Sequence, residues 1–265
     1  MNAVVLRTPH ASDDTMPRRR LVRAYAKELT YECLRMLRSP AFAIPTLAFP
    51  TFFYVLIGFL FGAFKATDPN AQAYVFLGFA TMAAMTPGMF SFGVGLATER
   101  EQGLHRLKRA LPMPTGAAVF AKIALCLLSV MAAVAILALS GLVLGTIQLA
   151  PTTLLALAGL LAIGAVPFCA LGLMLGAFAG ARGAAPLVNV TYMLMLYLSG
   201  LFMPLPEAIA KIVVVSPAFY LHQLALHVAH VPNALVGGVP AHVGVLAAMT
   251  VLFTTVAVRR FERAD

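Results

Sequence analysis

The chain has 265 residues, of which 61% are hydrophobic and 11% are charged, and its formal net charge at pH 7 is +9. Soluble domains carry about 25% charged residues, so this composition excludes an ordinary soluble enzyme and indicates a polytopic membrane protein. The charge does not indicate nucleic-acid binding, because 17 of the 19 Lys and Arg residues fall in residues 1–38, in 100–122, at 182 or after 258. We therefore expect a lipid bilayer, and no nucleic acid, around this chain.

Residues 18–38 predict a helix with one apolar face and one basic face. The apolar face consists of Val22, Tyr25, Ala26, Leu29, Cys33, Met36 and Leu37. Such a helix suits the anionic inner leaflet of a membrane. Alternatively, the segment is a basic flank that only anchors topology. The Ser39-Pro40 pair ends the helix in either case, because the residue before proline is biased away from helical geometry.

Long charge-free runs follow, and a bilayer core needs about 20 apolar residues per helix. They predict six membrane-spanning helices at 41–64, 72–97, 117–145, 153–180, 184–203 and 239–258. The expected fold is therefore all-α. Residues 1–38 form a cytoplasmic N-terminal part with the interfacial helix, and residues 39–265 form one transmembrane domain.

The orientation follows from the basic residues, which mark the cytoplasmic side by the positive-inside rule. With six spans, both termini are expected in the cytoplasm and the protein in the inner (plasma) membrane. The three cysteines, Cys33, Cys126 and Cys169, then lie inside or within spans, so no disulfide is expected.

The predicted span interiors contain no Asp, Glu, Lys or Arg, whereas ion-coupled porters usually need ionisable groups at depth. Lys65 and Lys122 are expected to extend to the membrane edges. The sequence also has no G-x-x-x-x-G-K-[ST] phosphate loop, so energy for transport must come from another chain. We expect no catalytic, cofactor-binding or metal site, and His222, His227 and His230 are interpreted as histidines at the wet surface. A partner-independent porter, or a rhomboid-like enzyme using Ser199 and a histidine, remains an alternative.

A charged connection joins the second and third predicted spans. Leu104, Leu107 and Leu111 lie at i, i+3 and i+7, which is one apolar stripe, and Arg100, Arg106 and Arg109 occupy the other faces. The connection is either a topogenic flank or a short amphipathic helix that binds a partner groove.

This connection resembles the corresponding loop of type-2 ABC transporter permeases, the integral membrane subunits of exporters. Glu99, Arg100, Glu101, Gly103, Leu107 and Pro112 match that loop, and Lys122 matches a later lysine, whereas Leu104 and Ala121 depart from the pattern. The resemblance implies a coupling helix that docks on a cytoplasmic ATPase. The implied coupling residues are Glu99, Arg100, Glu101, Gly103, Leu104, Arg106, Leu107, Arg109 and Leu111.

A second stretch, residues 198–226, is similar to the segment that follows the fifth span in this family. Ser199, Gly200, Pro204, Pro217 and Tyr220 carry the similarity. It implies short helices on the outer side between spans 5 and 6, with the N-terminal helix as the connector helix. It further implies a dimer, most simply a homodimer, with separate ATPase subunits that bind ATP and Mg. This chain would then be no enzyme itself.

Aromatic and methionine side chains in the spans indicate an adaptable wall for a hydrophobic or amphipathic substrate such as a drug, a lipid or a lipid-linked glycan. The candidates for the substrate path are Phe52, Phe53, Met85, Met89, Tyr192, Met195 and Ser199. The same residues suit ordinary core packing, so they do not select a substrate.

Overall fold

The fold comes from a computed structural model that describes residues 18–39, 43–60, 69–103, 116–147, 149–202, 213, 215–232 and 238–262. The described residues form helices joined by turns, and no strand occurs among them. In chain order the helices are α1 (Arg18–Arg38), α2 (Phe49–Leu60), α3 (Pro69–Met89), α4 (Leu96–Glu101), α5 (Ala117–Val143), α6 (Pro151–Ile163), α7 (Val166–Phe178), α8 (Ala181–Leu198), α9 (Pro217–Val228) and α10 (Val239–Glu262). Two π-helical segments, Ile44–Ala48 and Phe90–Gly95, precede α2 and α4.

Four helical stretches of the described chain are long and apolar enough to cross a membrane. They are Asn70–Glu101, Ala117–Val143, Pro151–Phe178 and Val239–Arg260, and a shorter apolar helix covers Thr46–Leu60. The four coincide with predicted spans two, three, four and six. The predicted all-α, multi-pass architecture is therefore confirmed at this level, and α2 and α8 occupy the positions of the other two predicted spans.

The N-terminal helix α1 packs lengthwise on α5, and the two helices run parallel. Near one end the rings of Tyr25 and Phe120 meet edge to face at 5.3 Å between centroids. Near the other end the Ser129 hydroxyl donates to the Met36 sulfur at 3.2 Å. The helix is thus held against a predicted span.

The face that α1 turns inward differs from the predicted apolar face. Glu28 and Glu32 are buried together with Met36, whereas Val22 and Leu37 are each 66% exposed to the surroundings of the chain. Glu32 is buried because Lys122 of α5 faces this side of α1, and Val22 and Leu37 are left on the surface expected to face lipid.

The long helix that begins with α3 changes geometry before it ends. Pro87 lies inside α3, and the π-helical segment Phe90–Gly95 separates α3 from α4. Proline removes a backbone hydrogen bond from a helix, and π-helical turns are frequent at functional sites. α4 ends at Glu101, and Gly103 two residues later has a φ of +69°, the left-handed conformation that commonly follows the end of a helix.

Glycines allow α3 and α7 to approach each other closely. A Cβ added to Gly172 of α7 would lie 2.8 Å from the Met89 carbonyl oxygen, and one added to Gly176 would lie 2.7 Å from the Gly93 carbonyl oxygen. These neighbours are backbone atoms, so they cannot turn aside as a side chain could. The crossing therefore fixes α7 against the end of α3 and the start of the π-helical segment, as small residues do between membrane helices.

We expect Gly172→Ala to destabilise the protein by about 1–3 kcal/mol, because the added methyl group overpacks a backbone contact. The matched control is Gly159→Ala in α6, where an added Cβ meets nothing within 4 Å. The control should be neutral or stabilising, since alanine reduces the freedom of the unfolded chain. Thermal unfolding in detergent compares the two variants, and equal midpoints would contradict the close crossing.

Candidate functional site

The predicted coupling residues divide into those that the structure describes and those outside it. Glu99, Arg100, Glu101 and Gly103 are described, whereas Leu104, Arg106, Leu107, Arg109 and Leu111 lie outside the described residues. Arg100 and Glu101 are exposed, and both belong to the last turn of α4. Residues 100 and 101, which were expected to begin a separate helix over 100–111, are therefore the end of a longer helix that stops before Gly103.

Glu99 lies inside the protein and forms the centre of a charged cluster. Its carboxylate accepts a hydrogen bond from the Lys122 ammonium of α5 at 2.7 Å and another from the Arg35 guanidinium of α1. Glu32 of α1 lies 3.4 Å from the same ammonium and 4.0 Å from the guanidinium. These four side chains, which we call the ion cluster, join α1, α4 and α5.

Burial makes these contacts a strong constraint on the fold. The side chains of Glu99, Lys122 and Glu32 are only 3%, 7% and 8% exposed, and Arg35 reaches the surface with 48% exposed. An ionised group is costly to bury unless it is paired and hydrogen-bonded. The Lys122 ammonium is therefore satisfied inside the protein by Glu99 and Glu32, rather than extending away from it.

A small cavity of about 170 Å³ adjoins the ion cluster. Its wall contains all four cluster residues and the hydroxyls of Ser39, Ser91 and Thr98. Ser91 belongs to the π-helical segment, so the cavity lies between the cluster and the place where the α3–α4 helix changes geometry. The ion cluster has two carboxylates and two cations, so its charges balance. Balanced charges suit the mutual positioning of helices better than the capture of a free ion.

The candidate path residues do not form one open channel in this conformation. Met85 and Met89 are fully buried in the core. Tyr192 of α8 is also buried, and its hydroxyl bonds the Thr86 hydroxyl of α3 at 2.9 Å. On α2, Phe52 is exposed and Phe53 is half-buried.

One candidate path residue, Met195, lines an apolar groove of about 340 Å³. Residues of α7, α8 and α10 and the start of α9 form this groove, including Leu171, Thr191, Ser216 and Phe253. Its wall is almost entirely apolar, with the two hydroxyls as polar exceptions. The groove is therefore chemically suited to a hydrocarbon rather than to a polar solute.

The residues proposed for an enzyme do not meet in this structure. The buried Ser199 hydroxyl hydrogen-bonds the Ser216 hydroxyl, whereas the His222 ring lies beside Thr81 with 3.4 Å between Nδ1 and Oγ1. The prediction of a wet-surface histidine is wrong for His222, which is fully buried. Burial lowers the pKa of His222 to about 4, so this ring is neutral at physiological pH. Within the described part of the chain, no three His, Cys, Asp or Glu side chains come together at metal-binding distances.

Sequence reasoning missed Glu32 and Arg35, since it assigned the charges of α1 to the lipid surface. A signal for them was present. Glu28 and Glu32 lie at i and i+4 on a helix that is otherwise basic, so they share one face. Lys122 is likewise the only charged residue of α5, and an isolated lysine in an apolar helix needs an acidic partner.

We expect Glu99→Gln to destabilise the protein by about 3–5 kcal/mol, because it removes a charge that buried Lys122 needs. The control is Glu101→Gln, two residues along the same helix and exposed, which should change stability by less than about 0.5 kcal/mol. Combining Glu99→Gln with Lys122→Met should restore much of the loss. Thermal unfolding in detergent measures all three variants, and equal midpoints for the two single variants would contradict the buried pairing.

The chain was compared with known proteins. The family model described as ABC-2 type transporter matches residues 28–229, a range that contains the ion cluster, the α3–α7 crossing and α9. The protein named "Putative transport permease YvfS" of Bacillus subtilis (strain 168) is 25% identical over 178 residues, which cover 67% of this chain and 73% of that protein. With the apolar helices described above, the match over most of the chain leads to one conclusion: the chain belongs to the ABC-2 type transporter family and is a multi-pass membrane transport permease.

Proposed function

We propose that this permease is the membrane subunit of an ATP-driven exporter and that the ion cluster transmits the movement of a partner ATPase. The single observation that carries the proposal is the placement of the cluster. Glu99 lies in the last turn of the helix before residues 104–115, and Lys122 lies near the start of the helix after them. Any force on that segment would therefore reach both helices through one buried contact. Two permease copies and two ATPase subunits would form the complex, with ATP and Mg bound by the ATPase.

The ion cluster also connects α1 to α4 and α5, the helices that are proposed to move. Arg35 and Glu32 hold α1 to the same carboxylate and ammonium that join α4 to α5. The packing of Tyr25 on Phe120 extends this contact along the helices. Under the proposal, α1 serves as the connector helix of the family and follows α4 and α5 as one body.

Bending would occur where the hydrogen bonding of the helix is interrupted, and the α3–α4 helix has such a place. Pro87 and the π-helical segment Phe90–Gly95 interrupt its regular hydrogen bonding. The part up to Gly93 is fixed on α7 by glycine contacts, at Gly172 with Met89 and at Gly176 with Gly93. We infer that α4 tilts about the end of the π-helical segment, after Gly93, when the ATPase subunits close, while α3 keeps its place. A population change from 1:99 to 99:1 needs about 5.5 kcal/mol of differential binding.

The proposed topology has six spans with both termini in the cytoplasm of a cell with an inner (plasma) membrane. α2 and α8 are the first and fifth spans of this topology, and α9 lies on the outer side before α10. The distribution of basic residues supports this orientation, since Arg35, Arg38, Lys122 and Arg259 would all lie on the inner side.

The proposed substrate is hydrophobic or amphipathic, in the class of drugs, lipids or lipid-linked glycans. The apolar groove lined by Met195 and Phe253 supports this class, because its wall offers hydrocarbon contact with only two hydroxyls. Exposed aromatic residues on α2, such as Phe52 and Phe59, offer further apolar surface.

We expect residues 106 and 211 on opposite sides of the membrane. In a protein whose native cysteines are replaced by serine, Arg106→Cys should react with an impermeant maleimide only from the cytoplasmic side. Lys211→Cys should react from the outside. Labelling of intact cells and of inverted vesicles distinguishes the two sides, and reaction of both positions from one side would refute the six-span topology.

We expect the isolated permease chain to hydrolyse no ATP. In a separate purification of the complex, the cognate ATPase should co-purify with the permease. Leu107→Asp should abolish stimulated ATP hydrolysis by the complex, because an unpaired carboxylate in a partner groove is costly to bury. Gly103→Pro should do the same, since proline cannot adopt the φ of +69° found there. The control, Gln102→Asp, adds the same charge at an exposed position. Wild-type hydrolysis in both test variants would refute the coupling role of the segment.

A further inference from the structure

Two cysteines meet where α5 and α7 pack together. The Cys169 sulfur lies 3.3 Å from the Cys126 sulfur, and the two residues are 6% and 1% exposed. A disulfide bond is about 2.05 Å long, so the two sulfurs need to approach by little more than 1 Å. Both thiols are free in this structure.

We propose that Cys126 and Cys169 form a redox site that membrane-soluble quinones convert into a disulfide. In this step both S–H bonds break and one S–S bond forms. The quinone takes up the two electrons and two protons and becomes a hydroquinone. A quinone whose ring carbons are all substituted is required, since a thiol would otherwise add to the ring.

The position of the pair selects the oxidant. Cys126 lies within the candidate span Ala117–Val143, and Cys169 lies within Pro151–Phe178. Apolar side chains surround both residues in the main core. A charged water-soluble oxidant such as glutathione disulfide does not enter such a region, because transferring charge into it is costly. An uncharged quinone dissolves in the hydrocarbon and reaches this depth.

The disulfide would act on the ion cluster through α5. Lys122 and Cys126 lie at positions i and i+4, so they are on the same face of that helix, one turn apart. α7 is fixed to the end of α3 by Gly172 and Gly176. A bond from Cys126 to Cys169 would therefore tie the helix that carries Lys122 to the immobile crossing. This effect on coupling rests on the proposed function, whereas the oxidation itself does not.

The oxidation is tested on the full chain in membrane vesicles. The vesicles are treated with tetramethylbenzoquinone, quenched, denatured and labelled with a maleimide polymer that counts free thiols on a gel. The wild type should lose two of its three reactive thiols, and reduction with dithiothreitol should restore them. Cys126→Ser and Cys169→Ser should each lose none. The matched control, Cys33→Ser, should lose both remaining thiols, and mass spectrometry should find the peptides of Cys126 and Cys169 linked.

Three results would overturn the site. They are full retention of free thiols after quinone treatment, a linked peptide that contains Cys33, and equal oxidation by glutathione disulfide.

The regulatory consequence has its own measurement. Quinone treatment should lower ATP hydrolysis by the assembled wild-type complex and leave the Cys126→Ser complex unchanged. Quantitative disulfide formation with unchanged hydrolysis would refute the lock on the ion cluster. If no ATPase assembles with the permease, the proposed function fails, yet the thiol counts still decide the redox site.

Discussion

The buried carboxylate of Glu99 is the constraint on which the packing of α1, α4 and α5 depends. A charge 3% exposed must have partners inside the protein, and here they come from two other helices. Lys122 supplies one from α5, and Arg35 supplies the other from α1. Because α1, α4 and α5 come from separate parts of the sequence, this one carboxylate fixes the positions of three helices relative to one another.

Stability alone does not explain such a cluster. Replacing a buried ion pair by well-packed apolar residues is often neutral or stabilising, whereas removing one partner is strongly destabilising. The cluster therefore adds specificity to the fold more than it adds net free energy. It lets α1 dock on α5 in one register, with Glu32 and Arg35 at Glu99 and Lys122. A purely apolar interface between α1 and α5 would permit neighbouring registers of similar energy.

The sequence predicted the helices well and the cluster poorly, for physical reasons. Each long helix is encoded locally by a charge-free run, so the bounds of α5 and α10 followed from composition. The cluster is encoded by pairing across the fold, since Arg35 and Glu99 are 64 residues apart. Periodicity reports which side chains are apolar, and it does not report that α1 buries Glu32 against a lysine. The family resemblance indicated the importance of Glu99 but placed it on a surface.

The α3–α4 helix, which carries Glu99 in its last turn, combines a rigid part with a more deformable part. The order of these two parts along the helix matters. At Gly172 the backbone of α7 touches Met89 at the end of α3, and at Gly176 it touches Gly93 inside the π-helical segment, so movement there would require the helices to separate. The π-helical segment Phe90–Gly95 thus starts directly after the first of these contacts and contains the second, and π-helical turns are frequent at functional sites. Under the proposed coupling, a displacement of Glu99 would therefore be absorbed after Gly93, before it reaches Met85 and Met89. The buried methionines would then stay packed unless α7 moved as well, which would make the packing of α7 on α3 and on Gly93 the step that any opening of a path through the core must overcome.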